Sequence, residues 1–127
     1  MGAKTFEELY AWRLSAKLRD EIVAICATGA LNSDTKFRDQ IRDAACSAPS
    51  LIAEAFGRFG RKEFRHYLTM ARAELLEVQN HLTDLRQRPL MRAEDVNRLA
   101  RLSDHAARVV ARLRSSLDRH MASALLY

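Results

Sequence analysis

The sequence holds few of the residues that interrupt helices: four glycines and two prolines among 127 positions. That scarcity excludes a turn-rich β-protein and favours long helices built from the abundant Ala, Leu, Arg and Glu. Cysteine is also scarce. Cys26 and Cys46 stand alone with no C-x-x-C pair, so no disulfide framework is indicated and a reducing, cytoplasmic compartment is expected. No apolar run approaches the roughly 18–20 residues of a membrane span. Glu7 and Glu8 fall where a signal peptide would be apolar, and Phe6 stands where a myristoylation start wants Ser or Thr. The expectation is a soluble chain with no membrane partner.

What is present describes a folded domain. Hydrophobic residues make up 48% and charged residues 29% of the chain, a composition of globular rather than disordered proteins. The length suits one domain, residues 1–127, with a core of its own. Lys and Arg number 21 against 16 Asp and Glu, a net charge of +5. Such basicity permits a nucleic-acid or acidic partner without requiring one.

Apolar spacing predicts an all-α antiparallel up-down-up-down four-helix bundle, with helices at about 5–29, 34–57, 61–87 and 93–124. Thr5-Phe-Glu-Glu8 has the form of a capping box. The first helix then carries Leu9, Trp12, Ala16 and Val23 beside a second row of Leu14, Leu18, Ile22 and Ile25, and Gly29 ends it. Ser33 or Asp34 caps the second, whose stripe is Phe37, Ile41, Ala44, Ala48, Leu51 and Ala55, widened by Ala45, Ile52, Phe56 and Phe59. The third is the most regular: Phe64, Leu68, Ala71, Leu75, Val78, Leu82 and Leu85 keep a strict seven-residue repeat. After Pro89 the fourth presents Leu99, Leu102, Ala106, Val109, Leu113, Leu117, Met121 and Ala124. A second apolar row on these helices, such as Leu14, Leu18, Ile52, Phe56 and Phe59, points to contacts between subunits.

The stretch between the second and third helices holds the most informative local chemistry. Pro49 removes one N–H inside the second helix and should bend it. Glu54 lies four residues before Arg58, a favourable helical pair, and Glu63 falls in the first turn of the third helix. Gly57 or Gly60 would supply a left-handed residue to close the second helix. The G-x-x-G spacing lacks a preceding strand and a Walker Lys-Ser/Thr, so a helix corner is expected here rather than a phosphate loop.

Phe6-Glu-Glu-Leu-Tyr-Ala-Trp12, Gln40-Ile-Arg-Asp-Ala-Ala45, Pro49, Ile52-Ala-Glu54, Phe56-Gly-Arg58, Lys62-Glu-Phe64 and Leu75 with Glu77 together resemble the four-helix-bundle proteins encoded in 23S rRNA intervening sequences. The likeness covers roughly residues 5–85. Leu51, Ala55, Gly60 and Ala73-Glu74 depart from the family's small and polar residues at those positions. The resemblance implies a four-helix bundle assembling as a cyclic homo-oligomer, a pentamer. It gives structural weight to Pro49, Glu54, Gly57, Arg58, Lys62, Glu63, Phe64 and Glu77. A related group, the accessory proteins of diversity-generating retroelements, has a similar bundle that binds nucleic acid, and this extends here as analogy of fold alone.

The fourth helix has a second regularity. Arg98, Arg101, His105, Arg108, Arg112, Ser115 and Arg119 share one face about 30 Å long, at 1.5 Å per residue. An arginine row can follow a phosphate backbone, so these arginines are the candidate nucleic-acid contacts. The competing reading is an ion-pairing surface, and the third helix offers a complement in Glu63, Glu74, Glu77 and Asp84, aligned with His66 and His81. Both hold if only part of the row is covered. Tyr10 and Trp12 are either base-stacking platforms or anchors at the end of the bundle.

No catalytic constellation is present. Cys26 and Cys46 lie among small apolar residues without a neighbouring His, and no Gly-x-Ser-x-Gly turn occurs. Glu63-Phe-Arg-His66 is a single E-x-x-H, where a di-iron bundle needs two, so neither a metal nor another cofactor is expected. The expected function is therefore non-enzymatic: a self-associating bundle that binds RNA or another nucleic acid through helix four. The alternative is a protein scaffold whose basic row pairs between subunits.

Overall fold

Four α-helices and one 3-10 turn account for most of residues 3–58 and 60–117, which the computed structural model describes. The 3-10 turn is Phe6–Glu8; α1 is Tyr10–Ala27, α2 Thr35–Phe56, α3 Arg61–Leu85 and α4 Ala93–Ser116. No strand occurs among the described residues. Phe59, Arg119, Met121 and Ala124, and the expected continuation of helix four to 124, lie outside them.

The first helix begins later than its sequence suggests. The Glu8 carboxylate accepts from the backbone N–H groups of Lys4 and Thr5, at 3.2 and 3.3 Å. That pair heads only the 3-10 turn. Leu9 is extended, at φ −73° and ψ 125°, and wholly buried. In an unbroken helix the nine residues from Leu9 to Leu18 would be about two and a half turns, aiming the two leucines in opposite directions. The extended residue lets both reach the core, so helix α1 starts at Tyr10.

The buried residues of α1 are Ala11, Ser15, Leu18 and Ile22 with Ala16 of the expected stripe, whereas Trp12, Leu14, Val23 and Ile25 are half-buried. Gly29 ends the helix as expected, at φ +84°, a left-handed angle that glycine adopts without steric cost. Of the two candidate caps for α2, Asp34 makes the bond, its carboxylate accepting from Phe37 N–H at 3.0 Å.

All seven residues of the α3 repeat are buried, from Phe64 to Leu85. Its four leucines each contribute roughly 1.5–3 kcal/mol by leaving water, which anchors α3 firmly in the core. Helix α2 presents Ala44, Ala45, Ala48 and Ala55 with the larger Phe37, Ile41 and Ile52, and Pro49 is buried within it. Helix α4 contributes Val96, Leu99, Ala106, Val109, Val110 and Leu113. Each helix packs on the next in the chain, and α1 packs on α4, so four contacts close a ring around one core. Leu18 and Ile52 are wholly inside that core. They are therefore used within the subunit, and of the proposed second apolar row Leu14, Ile25 and Phe56 stay half-buried.

Candidate nucleic-acid interface

The buried stripe of α4 leaves the opposite face to solvent, and every described member of the basic row lies there. Arg98, Arg101, His105, Arg108, Arg112 and Ser115 are all exposed. Arg119 lies outside the described residues. The expected ion-pair partners on α3 do not meet the described members of this row. Arg98 pairs with Glu21 of α1 and, at 3.8 Å, with Asp95. Arg108 pairs with Asp104 of its own helix at 2.8 Å. Arg101 and Arg112 have no ion-pair or hydrogen-bond partner among the described residues.

The reason is the arrangement of the ring. The flank of α3 that meets α4 carries Thr69, which accepts from Arg114 Nε at 2.8 Å, and Arg86, which donates to Asn97. Deeper in the same contact, Ser103 donates to the Leu75 carbonyl. The acidic line of α3 turns the other way, toward α2. Glu63 lies 3.9 Å from Arg58, and the His81 ring meets Phe37 edge-on at 5.4 Å. The basic row instead adjoins α1, where Tyr10 packs on His105 and exposed Lys17 has no ion-pair partner among the described residues.

Glu74, hydrogen-bonded to Glu77, faces a groove between α2 and α3. Burial, followed by its hydrogen bond and repulsion with Glu77, pushes the Glu74 carboxyl above the usual range. Glu74 shares that groove with Asp43, Cys46, Ser50, half-buried Leu51 and exposed Met70. Neither Glu74 nor Glu77 meets a cation among the described residues.

Several of the residues singled out around the corner make contacts that join α2 to α3. Arg58 donates to Glu54 at 3.1 Å and to the Tyr67 hydroxyl at 2.8 Å, and its guanidinium lies 4.7 Å from the Tyr67 ring centre. It thus ties the end of α2 to the first turns of α3. Phe64 is buried and donates its N–H to the Gly60 carbonyl, while Lys62 and Glu77 are exposed. Neither Gly57 nor Gly60 is left-handed, contrary to expectation. Gly57 stays right-handed at φ −78° and closes α2 by donating to the carbonyls of Ala53 and Glu54; Gly60 is extended at φ −89° and leads into α3.

A second clamp has no local sequence signal. Arg88 pairs with Asp34 at 3.0 Å and Asp84 at 3.3 Å and lies over the Phe37 ring. It joins the end of α3 to the cap of α2, across 54 residues of sequence. Phe37 N–H and then Arg88 hold the Asp34 carboxyl below its ordinary range.

The candidate metal ligands are engaged apart from one another: Glu63 with Arg58, His66 against the Tyr67 ring, His81 against Phe37. Among the described residues, no three carboxylate, imidazole or thiol groups converge on one point. Burial raises the Cys26 thiol above its ordinary value, against the opposing influence of Arg42 and Arg38. No described helix is long and apolar enough to cross a membrane.

Neither the curated proteins nor the solved structures yielded a match. A family model does match, over residues 7–112, which takes in α1 to α3, the corner after α2 and most of α4 with its basic row. The chain belongs to the 23S rRNA-intervening sequence protein family.

Proposed function

We propose that this protein is a non-enzymatic, cytoplasmic homo-oligomer that binds RNA or another nucleic acid through the outer face of α4. The observation that carries the reading is the state of Arg101 and Arg112. Both are exposed, and neither has a partner among the described residues. Guanidinium groups left unpaired on a solvent-facing row are available to phosphate oxygens at no cost in broken ion pairs. Arg98 and Arg108 keep partners of their own and lend the row charge at long range.

The assembly in this reading is a cyclic pentamer of up-down-up-down bundles, as the family resemblance implies, with α2 bent at Pro49. The antiparallel order is supported by pairings at both ends. Asp34 before α2 meets Arg88 after α3, and Thr69 early in α3 meets Arg114 late in α4.

A second reading rests on a different observation, the Glu74–Glu77 pair without a cation among the described residues, whose Glu74 lines the α2–α3 groove. In a scaffold without nucleic acid, the arginines of one copy would neutralise that groove in the next, a head-to-tail contact that closes into a ring. Joint replacement of Arg101, Arg108 and Arg112 by Glu separates the two. Filter retention of RNA and light scattering are measured on the same samples. Nucleic-acid binding predicts lost retention with unchanged particle mass. Loss of mass favours the scaffold, and unaltered retention removes this face as the site.

A further inference from the structure

Two aromatic residues near the chain start were candidates for base stacking, and the structure separates them. Trp12 is half-buried, its ring edge-on to Phe6 at 5.3 Å with the Arg19 guanidinium 6.0 Å from its centre. Its ring is taken up in holding the 3-10 turn against α1. Tyr10 is 37% exposed and packs on His105 at 5.6 Å with the ring planes at 74°. Its hydroxyl has no hydrogen-bond partner among the described residues.

His105 is itself a member of the basic row, between Arg101 and Arg108. The Tyr10–His105 pair therefore interrupts a line of cations with an exposed aromatic surface. An edge-to-face contact covers at most one face of one ring, so an aromatic face remains free. Cations alone would follow any phosphate backbone. Aromatic surface set among them adds something a duplex cannot use, because its bases are already stacked on one another. Unpaired bases can stack on such a surface while the flanking arginines hold their phosphates.

We propose that the seam between α1 and α4 binds single-stranded nucleic acid, with Tyr10 and His105 as the stacking platform and Arg101 and Arg112 as phosphate contacts. Lys17, exposed on the α1 side of the seam, extends the cationic border. This inference rests on the nucleic-acid reading of α4 above and names the form of ligand that face takes.

The test uses the full-length protein and two fluorescent probes: an oligouridylate twelve nucleotides long and a blunt RNA duplex of twelve base pairs. Anisotropy titrations at one fixed salt concentration compare wild type with Tyr10→Ala, Tyr10→Phe and His105→Ala. The expected result is tighter binding of the single strand by wild type. Tyr10→Ala should weaken it about ten- to a hundredfold, with duplex binding within about twofold of wild type. Tyr10→Phe, which keeps the ring, should bind like wild type, and His105→Ala should fall between. Circular dichroism melting identifies any variant whose fold is lost, and His105→Ala then carries the test in place of Tyr10→Ala. Equal affinity for both probes, with Tyr10→Ala unaltered, overturns the platform while leaving phosphate binding intact. Failure of wild type to bind either probe overturns the nucleic-acid reading itself, and the platform with it.

Discussion

The Ser103 hydroxyl, buried in α4, donates at 2.8 Å to the main-chain carbonyl of Leu75 in α3. It is a polar contact inside the core contact of these two helices. Ser15 in α1 is equally buried, yet its hydroxyl has no partner among the described residues. A buried hydroxyl contributes when bonded and costs desolvation when not. Ser103→Ala should therefore lower stability by about 0.5–1.5 kcal/mol, whereas Ser15→Ala should leave it unchanged or raise it by up to about 1 kcal/mol. Urea unfolding of both variants checks the contrast, and equal losses would contradict it.

Two glycines should respond unequally to alanine. Gly29 is at φ +84°, and an added Cβ would lie 3.3 Å from Asn32 Nδ2. Gly29→Ala should destabilise by about 1 kcal/mol or more, since alanine is strained at that angle. Gly60 has an ordinary extended backbone, and a Cβ added there would meet open space. Gly60→Ala should stay within about 0.5 kcal/mol of wild type, because the narrower unfolded ensemble is offset by alanine's poorer fit at the N-cap of α3. Thermal midpoints of the two variants provide the measurement.

Acid titration should find two carboxylates acting in opposite directions. The folded Asp34 carboxyl lies below its ordinary 3.8, first through Phe37 N–H and then through Arg88. Its contribution is complete above that unfolded value and is lost as pH falls through the folded one. Glu74 lies above its ordinary 4.5, first through burial and then through Glu77. Between its unfolded and folded values the folded chain holds the proton more firmly, so stability falls as pH rises through the interval. Glu74→Gln should thus raise the thermal midpoint at neutral pH, by an amount that shrinks below 4.5. Asp34→Asn should lower the midpoint at neutral pH and flatten its decline in acid. Midpoints recorded across the acid range test both signs.

The parts of this fold legible in the sequence are those governed by regular spacing. The α3 repeat places its apolar residues at alternating steps of four and three, and all seven are buried. The exposure of the basic row follows from the same periodicity on α4. Helix α1 is less legible. Ser15 lies in its buried row, and Leu9 reaches the core only through an extended residue, so the apolar pattern names a partly wrong face. Glycine marks conformational freedom without its sign, hence the right-handed Gly57 where a left-handed one was expected. Partners distant in sequence carry no local mark at all. Glu21 precedes Arg98 by 77 residues, and only the packing of α1 on α4 makes them a pair. The Tyr10–His105 contact depends on the same packing.

The salt dependence of RNA binding, compared between wild type and the double variant Arg101→Gln, Arg112→Gln, tests the central claim most directly. Each phosphate contact to a single strand contributes about 0.7 to the slope of log affinity against log salt. Removal of two such contacts should flatten the slope by about 1.4 and weaken binding most at low salt. A double variant with the wild-type slope and affinity would contradict the assignment of nucleic-acid binding to the outer face of α4.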